Sequence, residues 1–110
     1  MQPRLKSGIF VRALIRRAER QGAQAYVARK GSEEAGAIFL KVSRLDGTCV
    51  VLSQARGSEG EAIWARALGE SADEARAAAY FERQTKFDPD LWIVEIEDRE
   101  GRAFVDERIV

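Results

Sequence analysis

The sequence predicts a single α+β domain: a mostly antiparallel sheet of about five strands with two helices packed on one side of it, in the order α-β-β-β-β-α-β. Three features predict it. An apolar stripe at helical spacing opens the chain, an alternating segment turns back at Asp46-Gly47, and an alanine-rich stretch precedes a last apolar run. With 110 residues, 45% of them hydrophobic and 33% charged, the chain has material for one core and one domain over residues 1–110.

The first element is a helix from Ser7, taken as its N-cap, to about Gln21. Val11, Leu14, Ile15 and Ala18 recur at i, i+3, i+4 and i+7 and share one face, and Gly22 supplies the stop. Arg12, Arg16 and Arg20 fall four apart on another face and make a basic ridge. "AQAYVARK" then reads as a short strand and "GSEEAG" as a polar loop. "AIFLKVSRLDGTCVVLS" reads as a hairpin, because Asp46-Gly47 suits a two-residue type I′ turn whose central residues both need positive φ. Such a turn sets Leu45 against Thr48, Val42 against Val51 and Leu40 against Ser53. Ile38, Leu40, Val42, Cys49 and Val51 then share the core face.

"ARGSEGE" reads as a loop and "AIWARAL" as a fourth strand carrying Trp64. Ser71 to Glu74 has the form of a capping box, opening a helix to about Lys86 that packs through Ala75, Ala78, Ala79 and Glu82. Asp88-Pro89 ends it. "LWIVEIE" is the last strand, and its first half is apolar on both faces, which places it inside the sheet rather than at an edge.

Charge and composition exclude whole classes of chemistry. The 18 basic and 18 acidic residues cancel, so no global field draws the protein to nucleic acid or an anionic membrane. The ends are opposite in sign. Residues 1–21 hold six cations (Arg4, Lys6, Arg12, Arg16, Arg17, Arg20) against Glu19, whereas residues 88–110 hold eight carboxylates against Arg99, Arg102 and Arg108. Cys49 is the only cysteine, which removes any intrachain disulfide and fits a reducing compartment, so the expected location is the cytoplasm. No apolar run approaches the roughly 18 residues of a membrane span, and no membrane association is expected. With no histidine, the Ser/His and Cys/His nucleophile pairs and every imidazole metal site are missing. Hard cations held by carboxylates are the metal chemistry left open, and no cofactor is expected.

Three blocks, "RLKSGIFVRALIRR", "GAIFLKVSRLDGT" and "FDPDLWIVEIEDREGR", together resemble a family of small alphaproteobacterial proteins of unknown function, DUF1491, over nearly the whole chain. The resemblance implies a bacterial, stand-alone cytoplasmic domain. It carries no activity, cofactor or catalytic residue to these positions. The segment from Gln54 to Ala72 matches less clearly and is expected to be variable loop and edge.

The candidate sites each have a plain structural alternative. Strand alternation puts Glu95 and Glu97 on one face and Trp92, Val94, Ile96 and Asp98 on the other. With Asp46 and Lys41 nearby, the two glutamates have the makings of a carboxylate-metal hydrolase or nuclease; the alternative is a solvated strand end. The Arg12/Arg16/Arg20 ridge, joined by Arg4, Lys6 and Arg17, offers phosphate contacts to nucleic acid, or else is solvated and paired with acids of the C-terminal half. A third use is self-association, the positive helix of one copy meeting the negative C-terminal segment of another. Cys49 reads as a small buried hydrophobe. Trp64 and Trp92 read as core or interface anchors, with an aromatic pair lining a small-molecule pocket as the functional alternative. Taken together, the residues lead to a non-enzymatic binding or interaction domain with a protein partner or a second copy, and to no catalytic residue.

Overall fold

The computed structural model describes residues 5–110. Helix α1 (Ser7–Arg20) buries Val11, Leu14 and Ala18, the stripe read from the sequence. It ends in a Schellman motif: Gly22 N donates to Glu19 O and Ala23 N to Ala18 O, both at 3.1 Å, with Gly22 at φ 91°. Its start corrects the expected cap. Ser7 lies inside the helix, and Lys6 holds the cap position with no side-chain cap bond. The Ser7 hydroxyl instead donates to Gly36 O at 2.6 Å, while the Ser7 and Gly8 amides are taken by the Glu34 and Glu33 carbonyls at 3.3 and 3.0 Å. A loop distant in sequence thus satisfies the first-turn amides that a local side chain was expected to cap.

Six strands follow: β1 (Gln24–Arg29), β2 (Ile38–Ser43), β3 (Thr48–Arg56), β4 (Ala62–Arg66), β5 (Ala72–Asp73) and β6 (Trp92–Glu97), with helix α2 (Glu74–Phe87) between the last two. They form one sheet in the order β1-β6-β2-β3-β4, with β5 paired to β3. Only β2 and β6 run parallel; the other ladders are antiparallel. β6 is therefore interior, as its two-sided apolar first half requires.

The hairpin keeps its place and loses its expected register. Ser43 pairs with Cys49, Val42 with Val50 and Leu40 with Leu52, one residue away from the pairing that a two-residue turn would set. Arg44 N donates to Thr48 O at 3.0 Å, closing a loop of Leu45, Asp46 and Gly47 with positive φ at Leu45 (63°) and Gly47 (89°). Asp46 sits at the centre of that loop and accepts from Thr48 N at 2.9 Å and Thr48 Oγ1 at 2.6 Å. A slip of one residue turns every β3 side chain to the other face. Val50 and Leu52 accordingly join Ile38, Leu40 and Val42 in one core, and Cys49 and Val51 enter a second.

Each core has its own helix, which corrects the expectation that both helices lie on one side. Val11, Leu14 and Ala18 of α1 cover the face of Leu40, Val42, Val94 and Ile96; Ala77 and Phe81 of α2 cover the face of Cys49, Val51, Leu91 and Ile93. A sheet apolar on both faces has to be covered on both. The α2 cap also moves. Asp73 accepts from Arg76 N at 2.7 Å, because Ala72 and Asp73 are held as β5 against Thr48 and Cys49, and the helix begins at Glu74 rather than after Ser71. Its buried positions become Ala77 and Phe81, and Ala75, Ala78, Ala79 and Glu82 face water.

After β6 the chain crosses the α1 side. Ala103, Phe104, Val105 and Ile109 pack on that core, and the end of the chain lies beside β4, with Trp64 N donating to Arg108 O at 2.9 Å and Val110 N to Trp64 O at 2.8 Å.

Candidate functional site

Side chains from four elements meet on the α2 side of the sheet. Lys41 of β2 lies opposite Glu95 of β6 in the parallel register, and Tyr26 of β1 lies opposite Glu95 on the other side. Lys41 Nζ is 3.1 Å from Glu95 Oε1 and also contacts Glu74, the first residue of α2. The Tyr26 hydroxyl donates to Glu95 Oε2. The Lys41 and Glu95 side chains are only 17% and 15% exposed, so this pair is shielded from the solvent and salt that weaken surface pairs.

The same contacts fix the protonation states. Burial pulls the Lys41 ammonium down, but hydrogen bonds to Glu74 and Glu95 overturn that and leave it above the ordinary lysine value. The hydrogen bond to Glu95, with burial and that carboxylate's charge, pushes Tyr26 up to about 12. Burial, helped by the charge of Glu74, pushes the Cys49 thiol up. A charged lysine is no amine nucleophile, a protonated phenol is no base, and a neutral buried thiol is a poor nucleophile. All three shifts move a group away from reactivity near neutral pH. What the network does is tie the start of α2 to the sheet, with Glu74 placed where a helix N-terminus favours negative charge.

The acidic stretch is divided among separate tasks. Glu95 and Glu97 do share a face, but both Glu95 oxygens are occupied, by Lys41 and by Tyr26. Asp46 stands on the hairpin loop, bound to Thr48. Among the described residues, no group of three or more His, Cys, Asp or Glu is placed to hold a metal ion. Asp98 is buried and takes a fork from Arg102, whose Nε and Nη2 each donate at 3.0 Å; this pairing holds the carboxyl below its usual range. Glu97 is half-buried beside Ser43 and forms no ion pair with a described residue.

The basic ridge is partly occupied. Arg12 pairs with Glu33 at 3.2 Å and Lys6 with Glu34 at 3.3 Å, both on the loop that caps α1. Arg17 reaches the C-terminal segment of its own chain, 3.6 Å from Asp106 and donating to Phe104 O at 2.6 Å. The opposite charges of the two ends therefore meet in part within one molecule. Arg16 and Arg20 are exposed and pair with no described residue, and Arg4 lies outside the described residues.

Trp64 and Trp92 are both 3% exposed and belong to the α1-side core. Trp92 Nε1 donates to Ser32 O at 2.7 Å, and Trp64 Nε1 to Glu107 Oε1 at 3.0 Å. Trp64 lines a cleft together with Phe10, their rings 6.0 Å apart; Trp92 does not line it. The sequence reading missed Tyr26 and Glu74. Alternation alone put Glu95 on its face, but no local signal in β2 or β6 announces their parallel pairing, and that pairing assembles the cluster.

A family model described as "Protein of unknown function (DUF1491)" matches residues 5–106. The crystal structure of a DUF1491 family protein from Caulobacter crescentus is 47% identical and superposes with a TM-score of 0.89, over 97% of this chain and 100% of that one. An NMR structure of a DUF1491 family protein from the same organism is 45% identical over 99% of both chains, with a TM-score of 0.85. The solution structure of protein Atu0922 from A. tumefaciens is 37% identical over 96% of this chain and 95% of that one, with a TM-score of 0.80. No curated protein matches the chain.

Proposed function

The chain belongs to the DUF1491 family, a family of unknown function, and we propose that it is a non-enzymatic interaction domain that associates with a second copy through unpaired charges at one end of the molecule. The observation that carries this reading is that charges of both signs pair with no described residue at the end of the sheet where α1 leads into β1 and Gln24 pairs with Glu97. Arg16 and Arg20 occupy the last turns of α1, and two residues beyond Arg20 a depression of about 390 Å³ begins, lined by Gly22, Gln24, Leu45, Glu97, Asp98, Arg99 and Glu100. Asp98 and Glu100 are engaged by Arg102, which leaves Glu97 as the half-buried carboxylate without a cation. A patch with both signs is self-complementary about a two-fold axis: each copy offers Arg16 and Arg20 to the acids of the other. Arg17 and Asp106 satisfy each other within the chain and take no part. The unreactive states of Lys41, Tyr26 and Cys49 support the non-enzymatic half of the reading.

Among the described residues no helix is long and apolar enough to cross a membrane, and the free, buried Cys49 suits a reducing cytoplasm, where we place the protein. Sizing with light scattering at about 0.05 M and about 0.5 M salt tests the association, since contacts of this kind weaken as the Debye length shrinks. A dimer at the lower salt, dissociating at the higher and lost in Arg16→Glu/Arg20→Glu, is expected. A monomer in both, at protein concentrations of about 0.1 mM, refutes it. The exposure of Arg16 and Arg20 also favours a second reading, phosphate contacts to nucleic acid, which a retarded duplex at low salt would reveal.

A further inference from the structure

A cleft of about 630 Å³ opens on the α1 side of the sheet, beside the start of that helix. Its size falls within the range of small-molecule sites. Phe10, Ile38, Ile63 and Trp64 form its apolar part, and Gln54 and Arg56, two apart on β3 and so on one face, form a polar wall. That wall is rich in donors. Gln54 Oε1 is already taken by Ile38 N at 2.9 Å, which leaves the carboxamide N–H groups for the cleft. Arg56 gives one N–H to Gly60 O at 3.2 Å and has no acceptor of its own. Of the carboxylates on the rim, Glu34 pairs with Lys6 at 3.3 Å, and Glu107 accepts from Trp64 Nε1 at 3.0 Å.

We propose that this cleft binds a small amphipathic carboxylate, its apolar body against Phe10 and Trp64 and its carboxylate met by the Gln54 carboxamide and the Arg56 guanidinium. A guanidinium and an amide side by side match the two oxygens of a carboxylate, and the aromatic wall supplies the apolar burial that gives such ligands their affinity.

The test is an NMR titration of the full chain with phenylpropionate, and in parallel with phenylpropanol, which keeps the body and lacks the charge. Saturable shifts of the Trp64 indole N–H and the Gln54 side-chain amide are expected with phenylpropionate, with the alcohol weaker by roughly tenfold, the loss of one charge-assisted pair. Gln54→Glu keeps the acceptor for Ile38 N and exchanges the donor for a carboxylate oxygen, so it should weaken phenylpropionate by at least as much while leaving the fold intact. Ala62→Phe, at an exposed position lining the cleft, should block both ligands. If Gln54→Glu proves unfolded, the exposed Arg56→Gln takes its place. Shifts confined to other residues, equal affinity for acid and alcohol, or binding unaffected by these variants overturns the proposal.

Discussion

Replacing Lys41 with methionine keeps most of the stem and removes the ammonium that faces two carboxylates. Glu95, 15% exposed, loses the cation nearest it and keeps only the Tyr26 hydroxyl; Glu74, half exposed, regains water. Removing one partner of a fully buried pair costs about 3–5 kcal/mol, whereas an exposed pair is worth about 0–1 kcal/mol. The shielding of Glu95 places Lys41→Met near the first case, and the surviving Tyr26 bond and the solvation of Glu74 bring it down to about 2–3 kcal/mol. For a domain of this size that is a fall of about 8–12 °C in Tm, read by circular dichroism at neutral pH. Lys41→Met/Glu95→Gln should recover at least half of the loss, because a neutral amide still accepts from Tyr26 and needs no cation. The pH dependence has a definite sign. A lysine pKa raised by folding stabilises fully below the ordinary value of 10.5 and loses that contribution as pH rises through the folded value, so wild type and Lys41→Met converge in alkali. A Tm change under about 2 °C, or a double variant no better than the single one, would refute the reasoning.

Three further outcomes are expected. Asp73→Ala should cost about 1 kcal/mol in urea unfolding and Ser71→Ala almost nothing, since only Asp73 receives an α2 amide; equal losses would restore the capping box read from the sequence. Gly36→Ala should cost about 2 kcal/mol or more, because a Cβ there collides with the Asp90 carbonyl and the Ser32 backbone; a near-neutral effect in the same assay would mean that this loop is not clamped onto the residues before β6. Spectrophotometric titration should find Tyr26 half-ionised only at about 12, with its stabilising bond to Glu95 intact below the ordinary value of 10.0 and lost as pH rises through the folded one; ionisation of Tyr26 near that ordinary value counts against the bond.

What was legible in the sequence was whatever a short window contains. The stripe of Val11, Leu14 and Ala18, the stop at Gly22, the position of the hairpin and the interior place of β6 follow from periodicity, a left-handed glycine and two-sided hydrophobicity. The register did not, because Asp-Gly serves both a two-residue turn and a three-residue loop. The choice fell to Leu45 accepting φ 63° and Asp46 binding Thr48, neither of which the dipeptide reveals. The caps failed for a related reason. Ser7 and Ser71 have the right chemistry, but a distant loop reaches the first and a strand pairing captures the residues beside the second. Of the candidate sites, the sequence placed Glu95 and Glu97 on one face and offered Lys41 as a neighbour. Tyr26 and Glu74 come from strand order and the start of α2, which no periodicity encodes.

The register slip also bears on function. In the observed register Cys49 and Val51 join Leu91 and Ile93 as the apolar floor beneath α2. With those residues turned toward α2, Ala77 and Phe81 have something to cover, the first residue of the helix comes down on Lys41, and Glu95 is shut between a lysine and a phenol. Charge that began as an apparent active-site signature is thereby used to fasten a helix. Asp98 holds the turn after β6 through Arg102, and Asp106 ties the C-terminal segment to α1 through Arg17. Arg16, Arg20 and Glu97 are among the charges that form no ion pair with a described residue, and it is there, and at the exposed Arg56 of the cleft, that substitutions should alter binding with little change in stability.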